Sequence, residues 1–133
     1  MGRYAELVIF LLIVSEINGQ INPFGTPLIK NYSTQLTQGS EQSWCITKDK
    51  YGIMYYGTQD KGVLRYDGTK WKSIKIANNP RIYSLNTDKN GFVFVGAAFE
   101  FGFLQPGKSG EIEYISLAAR VDSVPEIRYI YSI

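Results

Sequence analysis

The chain has 133 residues, of which 44% are apolar and 20% charged, and its formal net charge is +2. This is the composition of an ordinary globular domain, so disordered and collagen-like chains are excluded. Lys and Arg are spread through every segment, which predicts no nucleic-acid partner. The sequence contains no histidine, which excludes Ser-His-Asp and Cys-His catalysis and imidazole metal sites. We therefore expect no catalytic residues, no metal site and no cofactor in this chain.

The first residues have the layout of a secretory signal peptide, here assigned to residues 1–19. Arg3 precedes an unbroken apolar run at residues 7–14, and small or polar residues follow up to Gly19. A retained membrane anchor is the weaker alternative, because the run is shorter than the about 20 residues that a spanning helix needs. Cys45 stands alone, and an exported protein without disulfides fits a bacterial periplasm. We expect export to that compartment.

Residues 20–42 form a lead-in before the repeats. Pro and Gly punctuate its start, and a short extended run at 28–32 resembles a closing strand. Residues 34–42 are rich in Gln, Thr, Ser and Gly and have no apolar periodicity, which predicts a loop.

The rest of the chain contains one pattern twice. Residues 44–57 return as residues 83–96 without a gap, at an offset of 39 residues, and this period is typical of one four-stranded propeller blade. A third copy begins at Tyr131. The sequence therefore predicts the opening part of a longer repeat array.

Each copy resolves into four strands joined by Asp- and Gly-containing turns. The expected strands are residues 44–47, 53–56, 63–66 and 71–76 in the first copy, and 82–86, 92–95, 102–105 and 112–117 in the second. The second strand of each copy is apolar on both faces, so both faces must be covered. Blades stacked face to face meet this requirement, and a two-sheet sandwich is the alternative.

We therefore predict an all-β fold, an incomplete β-propeller. Two four-stranded antiparallel blades occupy residues 43–77 and 78–117, and residues 118–133 carry the first strand of a third. Repeat arrays need about three units for stability, so the isolated chain is expected to aggregate or to bind hydrophobic dyes.

Several segments together resemble the periplasmic propeller of bacterial two-component regulators. They are GTPLIKNYS at residues 25–33, SWCITKDKYGIMYYG at 43–57, KGVLRYDGTKW at 61–71 and FEFGFL at 99–104. The resemblance implies a sensor whose remaining blades, membrane span and cytoplasmic output module, either a histidine kinase or a helix-turn-helix regulator, lie in a membrane-anchored, dimeric parent. It also implies a small-molecule or oligosaccharide ligand.

Propeller topology places a recognition surface on the loops that join the second strand to the third and one blade to the next. Amide, charged and aromatic groups there suit the hydroxyls and apolar ring faces of a sugar. The candidate ligand-binding residues on these loops are Arg81, Phe99, Glu100, Asn78 and Asp60.

Two functions from different classes remain open at this point. The first is a non-enzymatic, extracytoplasmic ligand-sensing propeller of a two-component regulator. The alternative is part of an enzyme propeller, a lyase or glycoside hydrolase, with its catalytic residues in other blades. Glu111 and Glu113 resemble a glycosidase pair, but a solvated outer strand face is the simpler interpretation of that spacing.

Overall fold

The computed structural model describes residue 25, residues 28–121 and residues 128–133. Residues 32–133 form one compact unit, and the short described stretch up to Asn31 belongs to another. The unit begins with a one-turn helix and continues with eight strands. The elements are α1 (Thr34–Thr37), β1 (Ser43–Lys48), β2 (Met54–Thr58), β3 (Val63–Tyr66), β4 (Trp71–Ile74), β5 (Ile82–Thr87), β6 (Val93–Ala97), β7 (Glu100–Pro106) and β8 (Ile112–Ser116), followed by a short 3-10 helix at Ala118–Arg120.

The strands form two antiparallel meanders. Sheet 1 has the order β1-β2-β3-β4, and sheet 2 has the order β5-β6-β7-β8. The predicted all-β class with two four-stranded, blade-like sheets is confirmed. The loop predicted at residues 34–42 was wrong in part, because α1 lies within it. Ser33 caps this turn, since its hydroxyl accepts a hydrogen bond from Leu36 N at 3.4 Å.

The turns that link the first two strands of each sheet are built alike. Asp49 Oδ1 accepts hydrogen bonds from Tyr51 N at 2.9 Å and from Ile53 N at 3.0 Å. Asp88 Oδ1 accepts from Asn90 N at 3.0 Å and from Phe92 N at 2.8 Å. The two carboxylates therefore hold equivalent turns, as their repetition in the sequence predicts.

The two sheets pack face to face around a shared apolar core. Val63 of sheet 1 and Ile82 and Val95 of sheet 2 are fully buried in it. The sheets approach closely at Gly57, where an added Cβ would lie 2.7 Å from Ile82 Cγ2. The core therefore lies between the sheets, and each sheet supplies one face to it.

Residues 128–133 lie beside β5 much as β5 lies beside β1. Ser84 Oγ donates to Ile130 O at 3.0 Å, and Cys45 Sγ lies 4.0 Å from Ile82 O at the matching position. Gly96 faces Ile130 as Gly57 faces Ile82. The segment makes a single bridge, between Ala98 and Tyr129, so it is an extended stretch rather than a regular strand.

Several predictions fall outside the described residues. They are the signal peptide at 1–19, most of the lead-in before residue 28, and residues 122–127 in the loop after sheet 2. The extended run at 28–32 is described but forms no strand, and Leu28 and Ile29 are exposed. Among the described residues, no helix has the length and hydropathy needed to cross a membrane.

Candidate functional site

An aromatic row, defined here as Trp44, Tyr83 and Tyr131, lies where the first strand of each repeat begins. We call this end of the sheets the loop edge. Ser43 pairs with Thr58 and Cys45 with Gly57, which leaves Trp44 without a cross-strand partner. The same irregularity leaves Tyr83 unpaired in sheet 2. A β-bulge redirects the side chain of its extra residue, so each bulge presents an aromatic ring at the loop edge.

Arg81 connects the first two rings of the row. Its guanidinium carbon lies 5.1 Å from the centroid of the Trp44 ring and 5.9 Å from that of Tyr83. These distances are within the range of cation–π attraction. No carboxylate among the described residues forms an ion pair with Arg81, so the aromatic rings are its main partners there. Arg81, a predicted site residue, is therefore held within the row.

Phe99, also a predicted site residue, extends the row on the side of sheet 2. Its ring centroid lies 5.9 Å from that of Tyr129, which contacts Tyr83 edge-on at 5.6 Å. Tyr83 also contacts Tyr131 at 4.8 Å. Phe99 has a positive φ of 59° and its side chain is 64% exposed. A positive φ is uncommon for a residue other than glycine, and here it belongs to the residue that carries this exposed ring.

Asp60 lies apart from these aromatic rings. It is exposed in the β2–β3 loop and lines a polar pocket of about 390 Å³ together with Gln42, Glu41 and Lys61. Gln42 is two residues before Trp44 and holds the loop, because its carbonyl accepts from Gln59 N at 3.1 Å. Asp60 thus belongs to a polar site at the same edge of sheet 1.

Asn78 occupies the connection between the two sheets. It is exposed, and both it and Asn79 have positive φ, at 64° and 44°. Asn tolerates this conformation better than most residues, which gives Asn78 a backbone role in the turn. No side-chain contact joins it to the aromatic row among the described residues.

Glu100 is turned into its own sheet. Its Oε1 accepts from Ser116 Oγ at 2.8 Å, from Phe101 N at 2.9 Å and from Tyr114 Oη at 3.0 Å. Burial, together with the Glu100 carboxylate, raises the pKa of the Tyr114 phenol. Glu100 is therefore an acceptor that links β7 and β8, and its binding of a ligand stays a prediction.

Comparisons of the chain with family models, curated proteins and solved structures gave no match. The geometry of the loop edge is therefore the main evidence on function. Among the described residues, no group of three or more His, Cys, Asp or Glu side chains is placed to hold a metal ion.

Sequence reasoning selected the loops and missed the rings on the strands beside them. Trp44, Tyr83 and Tyr131 occupy the same position in three successive copies, so the repeat itself contains the signal. The bulges that expose Trp44 and Tyr83 could not be deduced, because nothing in the residue types distinguishes an unpaired aromatic from a paired one. Aromatic faces next to a cation and polar loops provide both stacking surfaces and hydrogen-bonding groups.

Proposed function

We propose that this chain is a non-enzymatic, ligand-binding part of a β-propeller sensor, and that its loop edge binds a carbohydrate. The observation that supports this most directly is the aromatic row with Arg81 between its first two rings. Trp44 and Tyr131 are 52% and 68% exposed. Exposed rings of this kind stack on the apolar face of a sugar, while Arg81 and the loop amides bind its hydroxyls.

The wider role follows from the family resemblance and belongs to the same proposal. In a two-component regulator, ligand binding in the periplasm changes the geometry of a dimer and so controls a cytoplasmic output module. The DNA downstream of codon 133 tests this part. A membrane span followed by a kinase or helix-turn-helix region supports a sensor, and a reading frame that ends after the propeller contradicts it.

Binding by the chain itself is tested with defined oligosaccharides. We expect at least one member of a panel of cello-, xylo-, malto- and galacturono-oligosaccharides to bind in isothermal titration. Trp44→Ala and Tyr83→Ala are each expected to weaken binding about tenfold, as the loss of about 1.4 kcal/mol of stacking requires. Failure of every oligosaccharide to bind, or variants that bind as tightly as the parent chain, contradicts the proposal.

Two control variants separate binding from folding. Tyr51 is an exposed aromatic residue in the β1–β2 turn, at the opposite end of sheet 1, so Tyr51→Ala is expected to leave binding unchanged. Glu100→Gln is expected to lower thermal stability through its bonds to Tyr114 and Ser116 without weakening the sugar contact directly. The same mixtures are examined for cleaved product, and cleavage would contradict the expectation that this chain carries no catalytic residues.

A further inference from the structure

A second cavity lies between the two sheets at the turn edge, the end opposite the aromatic row. This cleft has a volume of about 240 Å³. Its walls are mainly apolar and come from both sheets, with Ile53 and Tyr55 on one side and Phe92, Leu104 and Ile112 on the other. The cleft is independent of the carbohydrate proposal, since it shares no lining residue with the aromatic row.

Arg65 is one of the charged residues that line this cleft. It has no charged counterpart in the second repeat. In sheet 1, Arg65 pairs with Tyr55 on β2 and with Lys72 on β4. At the matching position in sheet 2, Phe103 pairs with Phe94 and Ile115. A cation thus stands where the second repeat has an aromatic ring, and in sheet 1 this position lies on the face of Tyr55 and Val63, which packs against sheet 2. Placing a charge there is costly unless a partner compensates it.

The nearby carboxylates compensate Arg65 only weakly. Glu111 is committed to Lys72, whose Nζ lies 2.7 Å from Glu111 Oε2. Asp67 lies 3.6 Å from Arg65 Nη1, a long ion pair. Asp49, which also lines the cleft, accepts from two backbone amides and from Tyr55 Oη at 3.2 Å.

The guanidinium also has an unused donor. Arg65 Nε is buried and has no hydrogen-bond partner in the described structure. A buried donor without an acceptor is uncommon in folded proteins and calls for an explanation. Because Nε itself is closed to solvent, a ligand would approach the guanidinium through its remaining atoms, and the weakly compensated charge favours an anion there.

We propose that this cleft binds a small carboxylate with an apolar body, such as an aromatic or branched aliphatic acid. The planar guanidinium of Arg65 matches a carboxylate, and Phe92, Leu104 and Ile112 contact the apolar part. The volume is below the about 300 Å³ of most drug-sized pockets, which limits the ligand to a single small ring or a short branched chain. Lys50 adds a second cation at the rim, where its Nζ donates to Asn90 O at 2.9 Å.

The test uses the full chain and three probes of graded chemistry. Benzoate supplies both the charge and the ring, benzyl alcohol supplies the ring alone, and acetate supplies the charge alone. Saturation-transfer NMR and isothermal titration measure binding. We expect benzoate to bind about ten- to a hundredfold more tightly than either other probe, because it alone makes a charge-assisted hydrogen bond and fills the apolar walls. Equal affinity for benzoate and benzyl alcohol contradicts the proposal without any variant.

Substitutions at Arg65 then locate the site. Arg65→Gln is expected to remove the preference for benzoate over benzyl alcohol, and Arg65→Lys, which keeps the charge but not the planar fork, to retain part of it. Lys108→Gln, an exposed cation in the β7–β8 turn, is the matched control and is expected to leave affinity unchanged. If Arg65→Gln melts like the parent chain and still prefers benzoate, the assignment is wrong. If it unfolds, the Arg65→Lys result decides.

Discussion

Asp67 stabilises the β3–β4 turn in its ionised form. Its Oδ1 accepts from Lys70 N at 2.8 Å, from Thr69 Oγ1 at 2.8 Å and from Thr69 N at 3.0 Å. These bonds lower the pKa of Asp67 to about 2, from an ordinary value of 3.8. The Asp67-Gly68 turn was predicted from sequence and is confirmed, since a short carboxylate that bonds its own backbone favours this geometry.

The lowered pKa of Asp67 predicts how stability changes with pH. A carboxyl group whose pKa is lower in the folded than in the unfolded state contributes stability above the unfolded pKa, and loses it as pH falls through the folded pKa. Asp67 should therefore contribute above about pH 4 and lose its contribution by about pH 2. Urea unfolding at pH 5, 4, 3 and 2 should show a steeper loss for the parent chain than for Asp67→Asn. Identical pH profiles would contradict this.

Glu111 shows where residue-scale prediction reached its limit. Glu111 and Glu113 are predicted to lie on a solvated strand face, but Lys72 of sheet 1 bonds Glu111 at 2.7 and 2.8 Å. That bond lowers the pKa of Glu111 and occupies one member of the supposed Glu111 and Glu113 pair. Alternation along one strand assigns residues to two faces, but it does not reveal which face a neighbouring sheet covers.

At the scale of the elements, strand existence and turn chemistry were predictable. Alternating or fully apolar runs between Asp/Gly turns located all eight strands. The bulges at Trp44 and Tyr83 and the early start of β7 at Glu100 were not predicted, because both depend on pairing between strands rather than on residue type. The candidate site lies at these bulges and at the start of β7. The sequence therefore predicted the loops of the site but not its aromatic row.

The matching glycines Gly57 and Gly96 test whether the sheet contacts repeat. A Cβ at Gly57 would meet Cys45 Sγ and Ile82, and one at Gly96 would meet Ser84 Oγ and Ile130. We expect Gly57→Ala to lower the free energy of unfolding by about 1–3 kcal/mol, because it forces the two sheets apart. Denaturant unfolding at constant pH measures this change.

Gly96→Ala serves as the comparison, since its Cβ meets Ser84 Oγ and residues 128–133 rather than the facing sheet. It should increase proteolysis or amide exchange in that segment, with a smaller loss of global stability. If Gly96→Ala destabilises the chain as much as Gly57→Ala, residues 128–133 are an integral part of the core. If Gly57→Ala has no effect, the close approach of the sheets is not as described.

At the scale of the whole unit, sheet 1 is covered unequally on its two faces. One face packs on sheet 2. On the other, Tyr32 contacts Tyr66 and Trp71 near the outer strands, with ring centroids 5.5 and 5.2 Å apart. Ile46, on β1, remains 55% exposed. Its counterpart Leu85 packs against the core, so the bare position of Ile46 is one that a further sheet would cover.

Because Ile46 is exposed on this face, the expected binding of hydrophobic dyes can be tested by substituting this one residue. The uncharged dye Nile red should bind the chain, and Ile46→Lys should reduce its fluorescence by about half or more, because it replaces an exposed apolar side chain by a charged one. Leu36→Lys, which alters an exposed apolar residue on α1, is the matched control and should have little effect. Sedimentation should show less self-association for Ile46→Lys alone. A parent chain that is monomeric and binds no dye would mean that the outward face of sheet 1 needs no neighbouring sheet.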